Sequence, residues 1–291
     1  MPLCLAGGSA PDRSDGISHP TDPKDLRDAL RVKPGTQVRL AKLDPGATFG
    51  YDKASAAPVT QHQLERMADL QDRFWAEARQ SILVVLQGID AAGKDGTINK
   101  VMEAFNPQGC VVSSFKVPTP EEIGHDFLWR IHKRTPRNGE IGIFNRSHYE
   151  DVLVVRVHDI VPRDVWSARY AQINAFEDTL VKGGTTIVKF FLSIDRDEQR
   201  KRFQARYDDP TRRWKFSMGD LEERTRWDDY QAAFDEALSK TSTHGAPWYV
   251  IPANQKWFRD LAVASILADT MADLKPAYPP AADLPPNLII E

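Results

Sequence analysis

An apolar run, Ile82-Leu83-Val84-Val85-Leu86, opens into Gly88-Ile89-Asp90-Ala91-Ala92-Gly93-Lys94-Asp95-Gly96-Thr97. Apolar residues at helical spacing follow: Ile98, Val101, Met102 and Phe105. Strand, glycine loop, lysine, helix is the context that a phosphate-binding P-loop requires. Gly88, Gly93 and Gly96, with the small Ala92 among them, let backbone N–H groups turn toward a polyanion, and Lys94 adds a mobile positive charge.

The loop departs from the ordinary pattern after the lysine, where Asp95 stands in place of Ser or Thr. That hydroxyl is normally a Mg²⁺ ligand. A bare carboxylate beside phosphates becomes favourable only with a cation between them. Asp90 and Asp95 therefore point to a metal-bridged phosphate site with rebuilt ligation. The bland alternative is a glycine-rich turn in which Asp95 merely favours the first helical turn.

A chain of 291 residues can hold one large α/β domain with an appendage, or two small ones. No apolar run approaches the ~20 residues of a membrane span. Met1-Pro2-Leu3-Cys4-Leu5-Ala6 lacks a basic stretch and a full apolar core, so it does not read as a secretory signal. Cys4 and Cys110 are too few for a disulfide scaffold or a cysteine zinc site. A cytoplasmic protein follows by default, with no membrane partner. A net charge of −3 argues against a general nucleic-acid binder. The distribution of charge says more than the sum: from Arg196 to Lys215 there are eight Lys/Arg in twenty residues, against four Asp/Glu. Local basic stretches can hold a polyanion without a basic exterior.

Along the chain, 1–23 reads as a disordered tail, 24–275 as the domain and 276–291 as a second tail. Within the domain, 24–60 reads as an arm and 61–79 as a helix. Strands are expected at 82–86, 110–115, 141–145, 185–194 and 248–251, with helices at 120–134, 163–181, 218–238 and 255–272. This alternation predicts a parallel five-stranded sheet between two helical layers, an α/β/α P-loop kinase-like fold. Ligands in such sheets bind at the carboxyl ends of the strands.

The polar residues fall at those ends. The third strand runs into Asn145-Arg146-Ser147-His148-Tyr149-Glu150-Asp151, and the fourth ends at Asp195, where the basic helix begins. Arg202 and Arg206, four apart, share a helical face. With Arg212-Arg213-Trp214-Lys215 beyond, 196–220 reads as a lid that carries cations over transferring phosphates and excludes water. Arg130 and Arg134, also four apart, are expected to line the path of the donor. His148 reads as a packing residue, because in-line transfer needs no phosphohistidine.

Three motifs in order carry a resemblance: Gly-x-Asp-x-x-Gly-Lys-Asp-Gly-Thr at 88–97, Phe-Asn-Arg-Ser-His-Tyr-Glu-Asp at 144–151, and Arg-Trp-Lys-Phe-Ser-Met-Gly-Asp-Leu at 213–221. Together they resemble the polyphosphate kinase 2 family, over nearly the whole chain outside the tails. The resemblance implies phosphoryl transfer between inorganic polyphosphate and a nucleotide, with Mg²⁺ (Mn²⁺ being the alternative), on a thymidylate-kinase-like fold with a lid. It also implies a homodimer or homotetramer. The second motif looks like that of the subgroup accepting nucleoside mono- and diphosphates. Carried over by position, Asp90, Lys94, Arg146 and Arg206 are catalytic. Asp95 and Lys215 match as well; with Gly88, Ala92, Gly93, Lys94, Gly96 and, from spacing alone, Arg130, Arg134 and Arg202, they are expected to hold phosphates, and Asp90, Asp95 and Asp151 are metal candidates. One departure stands out: many members have Asp where this chain has Asn145, and Asp151 or Glu150 is the candidate replacement. The rival readings are an ATP-dependent nucleoside-monophosphate kinase and a non-catalytic polyphosphate-binding protein.

Overall fold

The computed structural model describes residues 23–280 and Ile289. The expected N-terminal tail lies outside the described residues but for Pro23, and so does nearly all of the C-terminal tail beyond 280. Among the described residues the strands are β1 (Ser81–Gln87), β2 (Cys110–Ser114), β3 (Ile141–Asn145), β4 (Thr185–Ser193) and β5 (Trp248–Pro252). They form one sheet in the order β2-β3-β1-β4-β5, and every pairing is parallel. Each strand falls within a residue or two of its expected range; β1, β3, β4 and β5 are short apolar runs buried almost throughout, as a doubly covered sheet requires, while the edge strand β2 keeps Val111 and Val112 exposed.

The helices are α1 (Pro23–Leu30), α2 (Lys53–Glu77), α3 (Lys94–Val101), α4 (Pro120–Ile123), α5 (Trp129–His132), α6 (Val154–Val157), α7 (Arg163–Lys182), α8 (Arg196–Asp208), α9 (Met218–Thr225), α10 (Trp227–Thr241) and α11 (Lys256–Asp273). α11 packs on α2, α1 and α3 on one side of the sheet, while α7 lies on β4 with α10 beside it. Every residue of β1 is buried, as the centre of the order requires. Among the described residues, no helix is long and apolar enough to cross a membrane.

Three expected helices differ. α2 starts at Lys53 rather than 61, because Asp52 and Ser55 form a capping box. Its first two turns bury only Ala56, so apolar periodicity could not reveal them. The segment 120–134 is two single turns: Gly124 closes α4, and the Asp126 carboxylate accepts from the Leu128 N–H to form a competing turn. The segment 218–238 divides at Arg226, whose guanidinium donates to the Val157 carbonyl. That break separates α9, near the lid, from α10, which packs on α7.

The sheet order puts the chain's reversal at β1. After β3 the chain crosses to β4 on the other side of β1, and the carboxyl ends of β1, β3 and β4 open a crevice there.

Candidate active site

β1 delivers the P-loop into that crevice. Gly88 has φ +156°, and a Cβ there would lie 2.9 Å from the Leu192 carbonyl oxygen of β4. Gly93, at φ +109°, caps α3 in a left-handed conformation that glycine adopts without strain. Ala91 also has a positive φ, 64°. The chain thereby turns so that α3 begins at Lys94 with its first N–H groups facing the crevice mouth.

Lys94 is buried, and its Nζ donates to the carbonyls of Gly88 at 2.6 Å and Ile89 at 3.4 Å. Among the described residues no carboxylate oxygen lies within 4.0 Å of it. Burial, with the neighbouring Arg146 charge, lowers its pKa; Asp90, Glu150 and Asp95 work against that shift. Such an ammonium gains from any anion that can reach it.

β3 supplies the facing wall. Arg146, at φ 62°, donates its N–H to the Leu86 carbonyl and leaves its guanidinium 2.8 Å from Asp90 and 3.6 Å from Glu150. Burial opposes the Arg146 charge, but Glu150 and Asp90 outweigh it and raise its pKa. Asn145 donates to Asp95 at 2.9 Å. The Asn145 amide thus binds the Asp95 carboxylate directly, where a carboxylate at 145 would need a cation between the two.

Of the two replacements considered for Asn145, Glu150 is the one brought to the crevice. Its charge acts on Lys94 and Arg146, and burial raises its pKa. Asp151 faces away. It takes Arg169 at 3.0 Å on both its carboxylate and its carbonyl, and burial pushes its pKa up to about 6. The structure pairs Asp151, expected as a metal candidate, with an arginine of α7 and not with the P-loop. His148 is fully buried with Nε2 3.1 Å from Glu177, in keeping with a packing role.

The lid residues divide. Lys215 reaches to 3.8 Å from Asp95, and Arg206 pairs with Asp220 at 3.2 Å. Asp220, which the motif reading quoted without a role, lies close enough to Asp90 for that charge, after burial, to raise its pKa. Arg202 points elsewhere, into the back of the P-loop, and is not a cation presented to the crevice. Arg130 and Arg134 do not share a helical face. Arg130 is buried on the Lys116 carbonyl at 2.8 Å, and Arg134 is exposed beyond the end of α5. Two contributors went unread in the sequence: Gln199 and Arg259, both on P-loop carbonyls. Arg259 lies 166 positions from its partner Gly93, within an apolar helix, and no local signal marks it.

A parallel α/β sheet with a glycine loop, a buried lysine, facing Asp–Arg pairs and a basic hairpin defines a P-loop phosphotransferase site. A model of the family described as polyphosphate kinase 2 matches residues 51–279, and the chain belongs to that family. It is 49% identical over 263 residues to an AMP/ADP-polyphosphate phosphotransferase of Meiothermus ruber, spanning 90% of this chain and 98% of that one. An ADP-polyphosphate phosphotransferase of Rhodopseudomonas palustris is 46% identical, with 86% and 91% covered. The crystal structure of polyphosphate kinase 2 from Arthrobacter aurescens TC1 superposes with a TM-score of 0.85 at 46% identity, covering 88% of this chain and 92% of that one.

Proposed function

We propose that this protein transfers phosphoryl groups between inorganic polyphosphate and nucleoside mono- and diphosphates, reversibly and with Mg²⁺. The observation that carries the reading is Lys94, buried at a helix N-terminus and resting on loop carbonyls, with Arg146 opposite and Lys215 above. Phosphoryl transfer needs in-line positioning and neutralisation of the equatorial oxygens more than covalent help. Lys94 and Arg146 meet the transferred group from below. Arg206 and Lys215 close on it from the lid and exclude water. The acceptor's terminal phosphate oxygen is already nucleophilic, so no strong base is required.

The residues fit a hard divalent cation. Asp90, Asp95 and Glu150 offer oxygen donors at the phosphate cradle. Among the described residues no group of three or more His, Cys, Asp or Glu side chains forms a metal cage. Mg²⁺ ordinarily takes one or two carboxylates and completes its shell with phosphate oxygens and water. Asp90 and Asp95 would hold it, and it would supply Lewis-acid stabilisation of the charge that develops on the phosphates. Asp90→Asn is expected to raise the Mg²⁺ concentration needed for half-maximal rate; an unchanged titration would move the ligand set elsewhere. A homodimer or homotetramer, supported by the family resemblance, and a cytoplasmic setting, supported by the sequence reading alone, complete the proposal; sedimentation tests the assembly.

An ATP-free assay tests the function. With AMP or ADP, long-chain polyphosphate and Mg²⁺, more highly phosphorylated nucleotide is expected. Product from AMP only when ATP is supplied would favour a nucleoside-monophosphate kinase.

A further inference from the structure

The outer side of the P-loop is as fully furnished as its inner side is open. The Asp90 carbonyl accepts from Gln199 Nε2 at 3.0 Å. The Ala91 and Ala92 carbonyls accept from one nitrogen of Arg202, Nη1, at 3.0 and 2.8 Å. The Gly93 carbonyl accepts from Arg259 Nη1 at 3.3 Å and from the Thr97 N–H at 2.9 Å. Lys94 holds those of Gly88 and Ile89. Every carbonyl from 88 to 93 is thus taken, four of them by side chains of α8 and α11.

Arg202 does more than cap the loop. Its Nη2 donates to the Ala253 carbonyl at 2.5 Å and the Asn254 carbonyl at 3.2 Å, beyond β5, and its Nε pairs with Glu198 at 2.7 Å. Its side chain is 10% exposed, and every guanidinium nitrogen is engaged. Arg259 is buried and set by Asp260, which accepts from its Nε at 2.9 Å and Nη2 at 2.7 Å. A Cβ on Gly93 would come within 2.2 Å of Arg259 Nη1, so the loop and this arginine are fitted to each other.

We propose that Arg202, Gln199 and Arg259 are positioning residues that pull the P-loop carbonyls outward and so fix its N–H groups toward the transferring phosphate. A peptide unit cannot present both its dipole ends to one side, so holding the oxygens of Asp90, Ala92 and Gly93 behind the loop aims the N–H groups of Ala91, Gly93 and Lys94 into the crevice, while the Ala92 N–H closes the turn on the Ile89 carbonyl at 3.0 Å. Arg202 also roots the first turns of α8 on the loop and on the end of β5. Lid closure is then confined to the chain beyond Arg202, where Arg206 and Lys215 sit. The role rests on the phosphotransferase reading for its kinetic consequence, but its structural part does not.

The test uses the full chain with Arg202→Lys, which keeps the charge but cannot span four carbonyls from one head group. Hydrogen exchange is read without substrate, at the bonded amides of Ala92 and Thr97 and the rest of α3. Exchange there is expected to speed up at least tenfold while β3 and α7 stay unchanged. In the polyphosphate assay kcat is expected to fall about 10- to 100-fold, as for a reacting group displaced by an ångström. The salt dependence of the polyphosphate KM is expected to stay as in the wild type, because Arg202 does not touch the donor. A shallower salt dependence with unchanged exchange would make Arg202 a donor contact and overturn the proposal. A lowered Tm with normal kcat per folded molecule would overturn it as well. Should Arg202→Lys not fold, Gln199→Leu, which frees the Asp90 carbonyl, is expected to give the same pattern at smaller scale, and normal exchange and kcat there would sink the idea. A wild-type chain that fails the polyphosphate assay would remove the function and leave the exchange result standing.

Discussion

Among the described residues two lysines are buried, and their surroundings differ. Lys189 is fully buried on β4, and all its hydrogens are used: Glu177 at 2.6 Å, the Tyr149 hydroxyl at 2.8 Å and the Thr241 carbonyl at 2.8 Å. Burial lowers its pKa, and the Glu177 carboxylate works against that. Lys94 is buried too, but it rests on two carbonyls of its own loop and has Arg146 beside it. A buried charge closed by a carboxylate holds structure together; one parked on carbonyls, with a second cation nearby, is set to exchange them for an incoming anion. Glu177 also takes His148 and Tyr149, so the closed network braces, from behind, the segment that presents Arg146 and Glu150 in front.

The largest expected effect separates the two lysines. Lys94→Met should cost at least about 10³ in kcat, some 4 kcal/mol, with Tm unchanged or slightly raised. Lys189→Met should do the converse. It leaves the Glu177 carboxylate buried without the lysine's charge, held only by His148 and the Tyr149 hydroxyl, so stability falls by about 3–5 kcal/mol while kcat per folded molecule stays within a few-fold. Adding Glu177→Gln should recover part of that loss. Denaturant unfolding and steady-state kinetics read both, and a Lys94 variant that melts early with normal kcat would erase the contrast.

Next in size is Arg206→Ala. The Arg206–Asp220 pair is partly exposed, at 26% and 21%, so its loss should change stability by no more than about 1 kcal/mol. As a lid cation it should lower kcat about 10- to 100-fold. A large drop in Tm with kcat intact would make it a structural partner instead.

The smallest effect concerns Asp151, which the structure turns away from the crevice. Its folded pKa, about 6, stands above the ordinary 3.8, so the folded state holds the proton more tightly. Stability from the neutral acid is full below pH 4 and is lost as pH rises toward 6. Asp151→Asn should therefore flatten the pH dependence between 4 and 6. The gain relative to wild type at pH 7 should be about 1–2 kcal/mol, under the ceiling of about 3 that a rise from 3.8 to about 6 allows. The Mg²⁺ titration should not move. A shifted titration would return Asp151 to the metal.

The sheet and its P-loop were legible because their signals are local: short apolar runs, a glycine loop and caps read off neighbouring residues. The divided helices were not. A single Asx turn at Asp126 or a contact from Arg226 to Val157 overrides periodicity without changing it. Spacing put Arg202 and Arg206 on one helical face, yet one turn of α8 separates the rooted arginine from the one that reaches Asp220. Glu150 and Asp151 are adjacent in sequence, and only the short helical turn at His148–Asp151 settles which of them faces Lys94. The Lys189–Glu177 pair gave no signal, because its members lie on a strand and a helix that only folding brings together.

The contrast between the two lysines is tested most directly by titrating polyphosphate into the wild type, Lys94→Met and Lys189→Met in a calorimeter, at matched ionic strength and a temperature where all three are folded. Lys94→Met should lose at least tenfold in affinity, with Lys189→Met binding as the wild type does. Equal loss in both variants, or none in Lys94→Met, would contradict the claim that Lys94 is the charge held ready for phosphate.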